Sequence, residues 1–492
     1  MLIRIDRDDR APLYVQIADQ LRFQILSGAL DTGSRLPPTR EVSEALKVNR
    51  KTVVSAYRLL RSEGLVSGCG RGGTVVAGSP NAPEREWIRP VLWSHLYSDV
   101  VRPASTYYGR SSFSVGDPLD LPPGTLSLTG EVSRYRWGSA DTLRAAIEDV
   151  ILEANADGLP RPHAGGFAPL RETLSRRARM MGASIGSDRL MITAGRQQGI
   201  YLLAQAFLEK GDSVAMEVPS YVGAIHAFKA HGAQIHAVPL DAEGPDLSIL
   251  EGVLSRHRVK LIYVAPTFRD PTGTTMSLQR RKDLLDLAHR YRVPILEDDA
   301  YQVLRYEGDP LPPLFALDRK DQTLYVSTLE YELPLGLHVG WVAAPSSVIE
   351  SLVPLKRALE FQTHPIMQKV AHRVLTERPE SIRSIVDSAR RSRDAMFAAL
   401  ESYCSQGLSF RRPEGGAFVW AELREVSARS ELCRKLLDEG VLCSPGYRFF
   451  PDENCGAGHL RLDFLGVAPH RIDDAVRRLG FALNALPVRS AQ

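Results

Sequence analysis

The chain has 492 residues, too many for one compact core, so two or three domains are expected. Hydrophobic residues at 44% and charged residues at 24% exclude a disordered or fibrous protein. A net charge of +3 does not itself mark a nucleic-acid binder, so position must decide.

The N-terminus, Met1 to Arg10, alternates charge with small apolar residues and offers no run for a signal peptide or membrane span. Cys69, Cys404, Cys433, Cys443 and Cys455 form no CxxC pair and have no His partners at zinc spacing. A cytoplasmic protein with reduced thiols and no metal site is expected.

Between Pro12 and Gly28 the residues Leu13, Ile17, Leu21 and Ile25 recur every four positions, which predicts an amphipathic helix ended by Gly28. Thr39, after Leu36-Pro37-Pro38, is read as the N-cap of a second helix that turns Val42, Ala45 and Leu46 inward. Asn49 is placed to cap a third, with Val53, Ala56, Tyr57 and Leu60 buried and Arg50, Lys51 and Thr52 in its exposed first turn. Gly64 stops that helix, and Leu65-Val66 and Thr74-Val75-Val76 read as strands around a glycine-rich turn containing Arg71 and Gly72.

Three helices and a basic hairpin make a winged helix-turn-helix, although the pattern also fits a plain helical subdomain. A recognition helix points its first turn into the major groove, where Arg and Lys reach phosphates or guanine edges. Arg40, Asn49, Arg50, Lys51, Thr52, Arg71 and Gly72 are the candidate DNA contacts. The segments Pro12-Leu13-Tyr14, Leu36-Pro37-Pro38-Thr39-Arg40, Val48-Asn49-Arg50-Lys51-Thr52-Val53 and Gly72-Gly73-Thr74-Val75 resemble the GntR family of regulators. That family usually carries Ser at the place of Pro38 and Gly at the place of Lys47.

The α+β winged head is assigned to residues 1–78. Residues 79–120 lose periodicity and carry Pro80, Pro83, Pro90, Pro103 and Pro118, as a linker does, while Trp87, Trp93 and Tyr97 predict that part of it packs on a surface. Residues 121–492 form the third segment.

There, apolar runs Leu190–Thr193, Ser213–Met216, Leu261–Val264, Val293–Leu296 and Leu324–Val326 alternate with helical segments. This predicts an α/β domain with a largely parallel sheet, whose ligand binds at the carboxyl ends of the strands. Following those runs stand Ala194-Gly195-Arg196-Gln197-Gln198, Glu217-Val218-Pro219-Ser220-Tyr221, Pro266-Thr267-Phe268-Arg269-Asp270-Pro271-Thr272-Gly273 and Glu297-Asp298-Asp299-Ala300-Tyr301.

In this order they resemble the fold-type I aminotransferases, and their fusion to a GntR head resembles the MocR/GabR-type subfamily of regulators. The resemblance implies a pyridoxal-phosphate site in which Tyr221 stacks on the pyridine ring, Asp298 pairs with its nitrogen and Tyr301 bonds its phenolic oxygen. It puts Arg196, Gln197 and Thr328 against the phosphate and Arg461 on an effector carboxylate. It also implies a homodimer.

The pattern breaks after the last run, in Ser327-Thr328-Leu329-Glu330-Tyr331. Tyr331 stands where the family has its Schiff-base lysine, and His338 where it has a phosphate-binding arginine. Asp270 replaces an asparagine that donates to the phenolic oxygen, and an ionised carboxylate only accepts. No covalent aldimine is expected, and no residue is assigned a catalytic role. Two readings of the pocket stay open: pyridoxal phosphate held non-covalently, with Arg196 compensating for His338, or a pocket reassigned to a cationic ligand by Glu330 and Asp270.

The expected function is a DNA-binding regulator that senses a small molecule of amino-compound catabolism or cofactor metabolism. The rivals are an active aminotransferase with an added head and a cofactor-free dimerising scaffold.

Overall fold

The computed structural model describes residues 3, 5, 12–26, 29–68, 73–77, 122–130, 140–153, 163–333, 337–424 and 429–485. Gly28, Arg71, Gly72 and the expected linker fall outside them. Packing divides the chain into two units, Met1–Trp93 and Ser94–Gln492. Among the described residues no helix is long and apolar enough to cross a membrane.

In the first unit, α1 (Leu13–Leu26), α2 (Thr39–Ala45) and α3 (Arg50–Ser62) precede β1 (Val66–Gly68) and β2 (Thr74–Val76). Ile17, Leu21, Val53, Ala56 and Leu60 are wholly buried, and Val66 and Val76 close the same core from the hairpin. Burying each of the Val, Leu and Ile side chains contributes about 1.5–3 kcal/mol. The Tyr57 hydroxyl donates to the Pro37 carbonyl at 2.8 Å, which ties α3 to the segment leading into α2. Arg22 Nε donates to Glu63 at 2.7 Å, joining α1 to the end of α3.

Three local expectations are corrected. Thr39 is the first residue of α2 rather than its cap, because Pro38 holds the capping position and no side chain caps the helix. Ser43 takes the inward place expected of Ala45, which is exposed. The first strand starts at Val66, one residue later than expected, and the segment before α2 adds to the wing: Leu36 N donates to Thr74 O and Val76 N to Ser34 O, both at 2.9 Å. Lys47 has φ 51°, the left-handed conformation that favours glycine, so its backbone explains the glycine usual at that place in the GntR pattern.

The second unit is built on a seven-stranded sheet whose strands are β4 (Leu190–Thr193), β5 (Ser213–Val218), β6 (Gln234–Pro239), β7 (Val259–Val264), β8 (Ile295–Asp298), β9 (Thr323–Thr328) and β10 (Gly340–Ala343). Their order across the sheet is β4-β10-β9-β8-β7-β5-β6. Only β10 runs against its neighbours, with Gly340 opposite both Thr193 and Thr328. Alternation sends Val214, Met216, Leu261 and Tyr263 into one core layer and Ala215, Ile262 and Val264 into another. Such a sheet, buried on both faces, explains why its strands read as unbroken apolar runs.

A further sheet stands beside it, in the order β11-β12-β14-β13-β3, from β3 (Leu126–Leu128), β11 (Leu408–Phe410), β12 (Phe418–Leu423), β13 (Val441–Pro445) and β14 (His459–Asp463). Two helices, Pro379–Tyr403 and Ile472–Asn484, pack on each other and share its core. Its function is positional: β14 carries Arg461 next to Trp420 of β12 and Ser444 of β13.

Candidate functional site

The first face is on the head. The Asn49 side chain accepts from Lys51 N at 2.9 Å and so caps α3 as expected. Arg50 and Lys51 are exposed in the first turn, and Thr52 is half-buried. Arg50 Nε lies 3.4 Å from Thr39 Oγ1, and Arg40, with a side chain 80% exposed, lies 3.4 Å from Glu44. The helix N-terminus adds its own partial positive charge to these cations, so the face is suited to phosphate oxygens.

The second site lies where the parallel strands of the large unit end. Arg196 opens the helix after β4, Tyr221 follows β5, Asp270 follows β7, Asp298 ends β8, Tyr301 follows it and Tyr331 follows β9. From the second sheet comes Arg461. These side chains form one cluster.

Asp298 is buried and accepts from the Tyr263 hydroxyl at 2.6 Å, with Arg196 Nη1 at 3.3 and 3.4 Å from its two oxygens. Arg196 Nη2 donates to the Tyr301 hydroxyl at 3.2 Å, and its guanidinium lies 3.7 Å from the centre of the Tyr221 ring. Burial opposes the Arg196 charge, but Asp298 and the neighbouring tyrosines outweigh it and hold the guanidinium well above its ordinary pKa.

Asp270 is gripped from the other side. Arg461 Nε donates to one of its oxygens at 2.8 Å and Nη2 approaches the other at 3.3 Å, while the Tyr301 hydroxyl donates to it at 3.1 Å. Arg461 Nη1 donates to the Thr129 carbonyl at 3.0 Å, and Asp463 stands 3.5 Å away. Burial pushes the Asp463 carboxyl up to about 6 against the pull of Arg461. The Tyr331 ring packs at 4.9 Å from that of Tyr301, and its hydroxyl is pushed up by burial and by Tyr301 and Glu330.

Several expected roles differ in the structure. The Arg196 guanidinium, expected at the phosphate, lies on Asp298, Tyr301 and the Tyr221 ring, the residues that the resemblance assigns to the cofactor ring. Gln197 donates to the Gly223 carbonyl at 2.8 Å, and Thr328 Oγ1 accepts from Glu330 N at 3.2 Å, so both are engaged by main chain. His338 is exposed on the approach to β10. Arg461 meets a carboxylate, but it is the chain's own Asp270. Sequence reasoning missed Tyr263, Thr129 and Asp463; Tyr263 sits inside a recognised strand run, and its alternation with Ile262 and Val264 was the available signal.

Lys356, on the helix Ser346–Leu359, donates to the Ala164 carbonyl at 3.1 Å and lies 3.8 Å from Glu360. A cavity of about 720 Å³, lined by His163, Ala164, Val353, Pro354, Arg357, Phe361 and Gln362, shares no residue with the cluster.

A winged helix-turn-helix joined to an α/β unit with this sheet order and this cluster defines a helix-turn-helix regulator with an aminotransferase domain. The chain belongs to the class I and II aminotransferase family, whose model matches residues 132–479, and residues 13–76 match the gntR family of bacterial regulatory proteins. This is the MocR-type architecture.

Relatives fall into two groups. The HTH-type transcriptional regulator YisV of Bacillus subtilis is 29% identical over 90% of both chains, and YdfD of the same organism is 26% identical over 98% of both. The 2-aminoadipate transaminase of Thermus thermophilus is 33% identical over 81% of this chain and 99% of its own. The solved α-aminoadipate aminotransferase LysN from Thermus thermophilus superposes with a TM-score of 0.70, at 32% identity, over 80% of this chain and 98% of its own. It was solved with N-(5'-phosphopyridoxyl)-L-leucine, and a fold of this kind suggests pyridoxal phosphate binding. The side chains as arranged here do not fit that group, because Arg196 stands among the residues assigned to its ring.

Proposed function

We propose that this regulator uses its aminotransferase domain as a sensor of a small ligand, and that the domain performs no transamination. The observation that carries the reading is Tyr331. It occupies the turn after β9 and packs against Tyr301 within the cluster, the two rings inclined by 33°. A phenol held protonated by burial supplies neither an amine for an aldimine nor a base to move an α-proton. Lys356 is committed to Ala164 and Glu360.

The sensed ligand belongs to amino-compound or cofactor chemistry, and with Tyr331 in the turn after β9 the cluster offers pyridoxal phosphate no covalent anchor. Regulation follows when the ligand prefers one arrangement of two heads over another, which requires a homodimer built on the large units with residues 79–120 as tether. Arg40, Asn49, Arg50, Lys51 and Thr52, with Arg71 and Gly72 of the wing, would meet the DNA.

The test is borohydride reduction of the full chain after incubation with pyridoxal phosphate, followed by peptide mass spectrometry. No pyridoxyl-lysine in the cluster and no pyridoxamine formed from amino donors are expected. A stoichiometric adduct on one lysine, with turnover, would overturn the reading.

A further inference from the structure

The approach to the cluster is dominated by one side chain. Arg196 enters the helix after β4 by way of Gly195, at φ 78°, and its side chain is only 11% exposed. Its guanidinium has an aromatic face beneath it at 3.7 Å, a buried carboxylate along one edge at 3.3 and 3.4 Å, and a phenol oxygen on another at 3.2 Å. Asp270 lies a little further out, at 3.8 Å from Nη2.

Those three partners demand a particular guest. A flat ring face accepts a flat cation, and a carboxylate in the plane of that cation accepts its in-plane N–H donors. An ammonium has the charge without the plane, and a neutral heteroaromatic has the plane without a donor for Asp298; a protonated pyridine ring has both, and what keeps it out is Arg196 standing in the slot. Tyr263 already supplies one hydrogen bond to Asp298, so the carboxylate is fixed in place before any guest arrives.

We infer that Arg196 is a tethered ligand of this slot: the chain fills with its own guanidinium the place of a cofactor ring, excludes pyridoxal phosphate, and presents, once the side chain is removed, a site for a planar amidinium- or guanidinium-class cation. The inference rests on the sensor reading only in taking this cluster as the effector pocket. It makes the native pocket one whose ring slot is already occupied, so an effector is read by what remains around Asp270, Arg461 and Glu330, or by displacing Arg196.

Full-length wild type, Arg196→Ala and Arg196→Lys are compared by thermal unfolding with methylguanidinium, with tetramethylammonium at equal ionic strength, and by retention of pyridoxal phosphate through gel filtration. Wild type is expected to retain no pyridoxal phosphate and to ignore both cations. Arg196→Ala, with Asp298 left without its cation, should melt lower by on the order of 5 °C. Millimolar methylguanidinium should restore most of that loss and tetramethylammonium none, while Arg196→Lys should stay below wild type.

Stoichiometric retention of pyridoxal phosphate by wild type overturns the inference, and does so even if the alanine variant fails to fold. An alanine variant that melts with wild type, or that both cations restore equally, overturns it as well. Retention without a lysine adduct would sink this inference and leave the sensor reading standing; an adduct with turnover would sink that reading.

Discussion

Arginines serve the head and the large unit under opposite conditions. Arg40 and Arg50 of the head stand in water, with one neighbouring side-chain oxygen each at 3.4 Å. Arg196 and Arg461 of the large unit are 11% and 8% exposed and have their donors on Asp298, Asp270, Tyr301 and the Thr129 carbonyl. An exposed cation is not desolvated and keeps its donors for an incoming phosphate. A buried one is tolerable only when paired, and any ligand it meets must compete with carboxylates already in position. One region is open to a partner, and the other is closed by its own residues.

The sharpest way to break that contrast is Arg461→Ala. Asp270 would keep Tyr301 and the more distant Arg196 but lose its fork, and removing one partner of a buried pair costs about 3–5 kcal/mol. Calorimetry of the full chain should show the large-unit transition lowered by roughly 4–6 °C, with the head transition unmoved. The double variant Arg461→Ala, Asp270→Ala should recover only part of the loss, since Asp270 is no longer left uncompensated but Asp463 still is. A single variant that melts like wild type would mean that the pair contributes nothing to holding the unit together.

The same division decides what could be read from the chain. Helix periodicity and the Asn49 cap are local, so the head was legible almost residue by residue, and the errors at Thr39, Ala45 and Leu65 are shifts within a turn. The strand runs at β4, β5, β7, β8 and β9 were legible because double-sided burial leaves unbroken apolar stretches. β6, with only Val238 buried, lacks that signature, whereas β10 is buried throughout like β4 and was not picked out as a strand. Site residue types were also visible, but their pairing was not: Asp270 and Arg461 are 191 positions apart and Arg196 and Asp298 are 102 apart, and no local pattern encodes which carboxylate each arginine takes.

On the head the expected effects are smaller and appear in binding before stability. Removing one phosphate contact with Lys51→Ala should lower the slope of log affinity for duplex DNA against log salt by about 0.9, and Arg50→Ala should do the same or, if it reads a base, cost about 1–3 kcal/mol at the cognate site. Neither change should move the large-unit melt. An unaltered salt slope in both variants would take α3 out of the interface. Asn49→Ala, which frees Lys51 N, should cost the head about 1 kcal/mol, and Asn49→Asp or Asn49→Ser should restore it.

The smallest effect sharpens the comparison through pH. The chain has 12 histidines and the first is His95, so the unit Met1–Trp93 has no imidazole to titrate. In the large unit His226, on the helix Val222–Ala230, is pushed down to about 4 by burial and by the nearby positive charges of Arg448 and Lys229. An unfolded chain protonates this imidazole near its ordinary value of 6.5, whereas the folded one resists until about 4. Between those values the unfolded state binds more protons, so the contribution of His226 is complete above 6.5 and is lost as pH falls through 4. Asp463 has the opposite sign: raised to about 6, its contribution is present below the unfolded carboxylate value and is lost as pH rises through 6. The two overlap in mild acid, so the measurement is a difference between wild type and His226→Gln across pH 7 to 4. The variant should lose less large-unit stability on acidification, by at most about 1 kcal/mol after solvent screening, and the head should show no difference. Parallel curves for the two proteins would place His226 in a solvated environment and remove it from the closed region.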